Sequence, residues 1–172
     1  SALEIIIGNF NYEPIFRYLK TDLTPLQREG VDLLENYCLA YGLRGSSWTS
    51  GKAWTYRKNY SIEGEEPEPL TEQETEELRQ INLLKEQAVE PLLLVKKRLK
   101  KAKTVREYTK ALYELLVDLQ VGEKLGRWKT EAENQGRLDL AKEHAQVWNE
   151  ILHLFDQVVE ALGEEQLSLK EY

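Results

Sequence analysis

The stretch from Tyr37 to Tyr60, YCLAYGLRGSSWTSGKAWTYRKNY, holds six aromatic and four basic side chains but no acidic one. Rings beside guanidinium and ammonium groups suit single-stranded nucleic acid, because bases stack on the rings while the cations take phosphate. On that reading Arg44, Trp48, Trp54 and Arg57 are the contacts. The competing reading turns Trp48 and Trp54 inward to close the end of a helical bundle, since rings this dense in a polar loop usually pack on the core. A second candidate is VKKRLKKAKTVR, Val95 to Arg106, with seven basic residues and no acidic one. Lys96, Lys97, Arg98, Lys100 and Lys101 suit a phosphate-contacting patch. They equally suit a helix C-terminus, where cations complement the macrodipole.

Catalytic chemistry finds less to work with. Glu150 and His153 form an ExxH, the spacing that carboxylate-bridged di-metal bundles use twice. In the register of the surrounding helix both fall opposite the apolar seam, so they read as solvent-facing, and no metal ligand or catalytic residue is assigned. The sequence has no GxxxxGK[ST] phosphate loop and no GxGxxG. Eight glutamates between Glu63 and Glu77 read as a solvated linker rather than as acid–base machinery. Cys38, the single cysteine, reads as a small buried hydrophobe.

These side chains need elements to hold them, and the grammar is helical almost throughout. Thr24, Pro25 and Gln27 predict an N-cap, first turn and capping box for a helix ending at Gly42; TEQE (Thr71, Glu74) and TVRE (Thr104, Glu107) repeat the pattern. Pro91 predicts a kink or a division of one long segment into 71–90 and 91–103. Leu138, Ala141, Ala145, Trp148, Leu152, Phe155, Val159 and Leu162 form a bundle seam at alternating three- and four-residue spacing, with Gly163 as cap. Short helices are predicted in ALEIII and YEPIFRYLKT, and one long irregular loop over about 43–70. The expected fold is an all-α multi-helix bundle.

At 172 residues one domain, 1–172, is expected. The net charge of −7 disfavours a protein that coats nucleic acid with its whole surface, although local basic patches act within a screening length of about 8 Å. No apolar run reaches the roughly 20 residues of a membrane span, and no secretory signal is evident, so the expected location is cytoplasmic with no membrane partner. The absence of any methionine, even at position 1, predicts a fragment of a longer protein.

The blocks PIFRYLKTDL (Pro14 to Leu23) and DLLENYCLAYGLRGSSW (Asp32 to Trp48), followed by Trp54, resemble the B subunit of bacterial ATP-dependent helicase–nucleases of the AddB/RexB type. The similarity continues from Ile81 to Leu116 and into the final helix, with ENYCLAYGLRGSSW its most specific part. The resemblance implies an internal, noncatalytic helical piece, similar in place to the 2B subdomain of related helicases. It would position DNA or brace domains in an enzyme that processes double-strand break ends for recombinational repair. The implied partners are DNA, the rest of the B subunit, plus the enzyme's A subunit. ATP, magnesium and an iron–sulfur cluster would be held elsewhere in the parent, with no cofactor in this stretch. The family's nuclease carboxylates and cluster cysteines lie in a C-terminal domain, and none of those motifs occurs here. The alternative is a free-standing helical protein-interaction domain that docks through Trp48 and Trp54.

Overall fold

Amphipathic spacing and capping chemistry account for the seven α-helices among the described residues: α1 (Ala2–Ile7), α2 (Tyr12–Leu19), α3 (Arg28–Tyr41), α4 (Glu72–Leu99), α5 (Val105–Asp118), α6 (Val121–Asn134) and α7 (Leu138–Leu162). The computed structural model describes residues 2–57 and 69–172. Among these residues there is no strand, only an isolated bridge between Thr104 and Gln166, so the fold is all-α. The chain gathers into two compact units, residues 1–90 and 91–172.

In the first unit, α1 and α2 are joined by a turn in which Asn9 (φ 53°) and Phe10 (φ 59°) are both left-handed. That conformation is rare for a bulky ring. Phe10 is held in it by complete burial, by its N–H donating to the Ile5 carbonyl, and by its carbonyl accepting from Gly45. Ile5, Ile15, Leu19, Val31, Leu34 and Trp48 complete this core. The helix grammar at Thr24 fails: α3 begins at Arg28 with Gln27 as N-cap. Thr24 is buried instead, and its hydroxyl donates 3.4 Å to the Leu19 carbonyl, satisfying the frayed end of α2. The other end of α3 is as expected, with Gly42 left-handed at φ 62° and its N–H on the Cys38 carbonyl.

Both remaining capping boxes form. Thr71 Oγ1 accepts the Glu74 N–H at 3.2 Å while the Glu74 carboxylate accepts the Thr71 N–H at 2.9 Å; Thr104 and Glu107 pair in the same way at the start of α5. The Thr71 N–H holds the Glu74 carboxyl below the usual carboxylate range, and the Lys103 N–H, at 2.6 Å, followed by that of Thr104, does the same for the Glu107 carboxyl. The long helix α4 is not divided at Pro91, although the unit boundary falls there, and it stops at Leu99 rather than at 103. Pro91 has no N–H for the Gln87 carbonyl, a single lost bond in a 28-residue helix. Ile81, Lys85, Ala88, Leu92, Val95 and Leu99 follow three- and four-residue spacing down its buried stripe.

The second unit packs α7 chiefly against α6, and also against α5. Sequence grammar gives no sign of the break between α5 and α6, which lacks Gly and Pro; Gln120 makes it alone by turning left-handed (φ 54°, ψ 40°). One face of α5 turns inward, with Tyr108, Ala111, Leu115 and Leu119 buried and Leu112 and Leu116 half-buried. The α7 seam is covered only in part. Ala141 is buried and Trp148, Leu152, Phe155 and Val159 are half-buried, but Ala145 is exposed, Leu138 is 61% exposed and Leu162 49%. Trp148 lies on Gly122, where an added Cβ would stand 3.3 Å from the indole. Gly163 caps α7 in a right-handed conformation (φ −53°). Beyond it the chain turns back on the start of α5: the N–H groups of Val105 and Arg106 donate to the Glu165 and Gly163 carbonyls. Two otherwise orphaned helix donors are satisfied that way.

Candidate nucleic-acid interface

In the first unit the aromatic–basic stretch folds as a ladder of rings running from core to surface. A 3₁₀ turn over Gly45–Trp48 delivers Trp48 to the core, 1% exposed, with its ring edge-on to Phe16 (5.9 Å) and to Trp54 (5.0 Å). Trp54, 3% exposed, stacks on Tyr37 at 5.8 Å and 13°. Tyr37 leans on Tyr41, and Tyr41 stacks on Tyr56, which is half open to solvent. Trp48 and Trp54 therefore lack the open faces that base stacking or a docking surface would need, and their packing is the inward one.

Two side chains of α4 that sequence reasoning missed hold this ladder in place. Asn82 Oδ1 accepts the Trp54 N–H at 2.7 Å while its Nδ2 donates to the Trp54 carbonyl at 2.9 Å, the pairing a neighbouring strand would provide. Lys85, buried at 6% exposure, donates 2.6 Å to the Lys52 carbonyl and lies 4.9 Å over the Trp54 ring. Burial pulls its pKa down, and the carbonyl and the π face are the compensation. The signal was present in the sequence: Lys85 occupies a core position of the α4 stripe between Ile81 and Ala88.

Arg44 is exposed, whereas Arg57 is partly covered and paired with Glu74 at 3.7 Å. Arg57 borders a cleft of about 640 Å³ between Tyr37, Tyr41 and Tyr56 on one side and Glu74 and Glu77 on the other. Two carboxylates against one guanidinium make that cleft unfavourable for phosphate. Of the other two basic residues of the stretch, Lys52 is exposed, and Lys58, like Tyr60, lies outside the described residues.

The lysine-rich candidates lie in the second unit, at the end of α4. Lys97, Lys100 and Lys101 are exposed and Lys96 is half-buried. None of the ion pairs among the described residues takes Lys97, Lys100 or Lys101. Arg98 differs: its guanidinium joins Glu114 at 2.9 Å and also pairs with Asp118. With both partners on α5, it ties α4 to α5 and has little left for a phosphate. Glu150 and His153 are exposed on α7, and the other histidine, His144, rests on the Trp128 ring at 5.6 Å. Among the described residues no three His, Cys, Asp or Glu side chains gather as metal ligands. Cys38 is buried, which pushes its thiol up to about 12. No helix among the described residues is long and apolar enough to cross a membrane.

Comparison with known proteins gives one consistent answer. The chain is 47% identical over its whole length to the B subunit of the ATP-dependent helicase/deoxyribonuclease of Desulforamulus reducens. In sequence it belongs with this B-subunit family. The B subunit of Pelotomaculum thermopropionicum is 49% identical over the whole chain, and that of Bacillus pumilus 43% identical over 98% of it. In each case the chain spans about 15% of the relative's length. No protein-family model matches the chain.

Proposed function

We propose that this stretch of a B-subunit sequence is a noncatalytic helical element that helps to position DNA in an enzyme processing DNA ends, with the end of α4 as its phosphate contact. The observation that carries the reading is the group Lys97, Lys100 and Lys101: three exposed ammonium groups within five residues, taken by no described ion pair, on a chain whose net charge is −7. Cations so placed in an acidic protein attract phosphate without regard to base sequence. The name the relatives carry, helicase/deoxyribonuclease, supports DNA as the polyanion. ATP hydrolysis and strand cleavage would then belong to other parts of the parent, working with the enzyme's A subunit. Arg44 is a weaker candidate contact on the first unit, while Arg57, Trp48 and Trp54 serve packing.

The test is fluorescence anisotropy with a forked duplex carrying a single-stranded tail, at two salt concentrations. Neutralising Lys97, Lys100 and Lys101 to Gln should weaken binding and flatten the log–log salt slope by up to about 0.9 for each lost duplex phosphate contact. Trp54→Phe should leave the slope unchanged. Equal binding by the lysine variant and the parent would sink the reading.

A further inference from the structure

Beyond the seam that meets α5 and α6, α7 carries a second apolar stripe. Val147, Ile151, Leu154, Val158 and Ala161 succeed one another at intervals of four, three, four and three residues, the register of helix-on-helix packing. Ile151 and Val158 are half-buried, at the margin of the packed face. Val147 is 41% exposed, Leu154 56%, and Ala161 is exposed as well. Single exposed leucines are ordinary on a protein surface, but an exposed stripe in packing register marks a contact surface.

The charges beside the stripe narrow what covers it. Glu143 and Glu150, both exposed, stand four residues before Val147 and Leu154 and so flank them on the helix surface. A second copy laying the same face on this one would bring Glu143 and Glu150 of both copies together, with no lysine or arginine of α7 beside the stripe between Val147 and Ala161. A helix with basic flanks meets no such penalty. The matched relatives are far longer than this chain, which spans about 15% of them, so such a polypeptide has ample sequence to supply a helix of that kind.

We propose that in the full-length protein the Val147–Leu154–Ala161 face of α7 is covered by an amphipathic helix of the same polypeptide, from outside this stretch, with an apolar seam flanked by Lys or Arg opposite Glu143 and Glu150. The inference rests on membership of the B-subunit family and not on the DNA reading.

The experiment uses the full-length protein with p-benzoylphenylalanine at position 154, at 147 as a second reporter, and at Asn149 on the polar face as control. After irradiation, peptide mapping should find both reporters joined to one segment of the same chain that has three- and four-residue apolar spacing and basic flanks. The yield should be severalfold above that at 149, and Glu143→Lys with Glu150→Lys should reduce it severalfold. Cross-links to a second copy or to a different polypeptide would overturn the proposal, as would yields no higher than the control or insensitive to the charge reversal. DNA affinity is measured independently of these variants, so failure here is separable from failure of the lysine contact.

Discussion

Tyr18 and Trp48 each bury a polar atom, the hydroxyl and the indole N–H, without a hydrogen-bond partner. An unsatisfied buried group costs about 1–3 kcal/mol, yet both rings contribute apolar area that outweighs it. Tyr18→Phe, which removes the hydroxyl and keeps the ring, should therefore raise stability by about 1 kcal/mol in urea unfolding. Trp48→Ala should lower it by about 3–5 kcal/mol, the usual loss for a buried aromatic; an unchanged melting temperature would contradict the ladder described above. Asn82→Ala strips two bonds from the Trp54 backbone and should cost about 1–3 kcal/mol. The roles of Asn82 and Lys85 were only partly legible. A lysine in a core register can be noticed in the sequence, but its partner, the Lys52 carbonyl, is 33 residues away and is set by the path of the chain.

Among the elements, those with local chemistry were the ones that could be read. Thr71 with Glu74, Thr104 with Glu107, and Gly42 each act within a few residues, and each is found where it was expected. Thr24 shows how the same grammar fails: α3 starts only at Arg28, and the buried Thr24 hydroxyl donates instead to the Leu19 carbonyl at the end of α2. The α5–α6 break was illegible because a single strained residue makes it. A left-handed Gln120 costs about 1–2 kcal/mol relative to a glycine there, offset in part by the greater freedom of glycine in the unfolded chain. Gln120→Gly should accordingly leave stability unchanged or raise it by up to about 1 kcal/mol, whereas Gln120→Val should lower it, because a β-branched side chain tolerates this conformation poorly. Thermal melts of the two variants decide the point.

At the scale of the whole molecule, buried and half-buried weak acids of the first unit give a stability that is lost at high pH. Burial pushes Cys38 up from 9.0 to about 12; burial, with Glu35 adding to it, pushes Tyr12 from 10.0 to about 12, and burial does the same for Tyr37. Tyr18 moves in the same direction. Each group keeps its proton in the folded chain after the unfolded chain has lost it. Their contribution is complete below the unfolded values and is lost as pH rises through the folded ones. Lys85 acts oppositely: its lowered pKa lets the folded chain shed a proton first, so it favours folding as pH approaches 10.5. Burial lowers Lys124 of the second unit in the same way, so four raised acids stand against two lowered bases, and stability should fall as pH climbs above about 9. Cys38→Ala should delay the onset toward pH 10, where the tyrosines begin; urea unfolding at pH 8 to 11 would reveal a slope unaltered by the variant if Cys38 has no part in it.

The all-α class, the helix ends at Gly42, Thr71 and Thr104 and the kinship with the helicase/deoxyribonuclease family were decided by the sequence itself, because periodicity, caps and a block such as ENYCLAYGLRGSSW are local properties of the chain. Which rings are buried and which cations are left over were decided only by tertiary structure. Trp54 and Tyr56 are two residues apart in one polar stretch, and yet one stacks inside on Tyr37 while the other is half open to solvent. Arg98 and Lys97 are neighbours, and only Arg98 finds Glu114 and Asp118. Burial and ion pairing depend on what distant segments bring alongside, and composition carries no record of that.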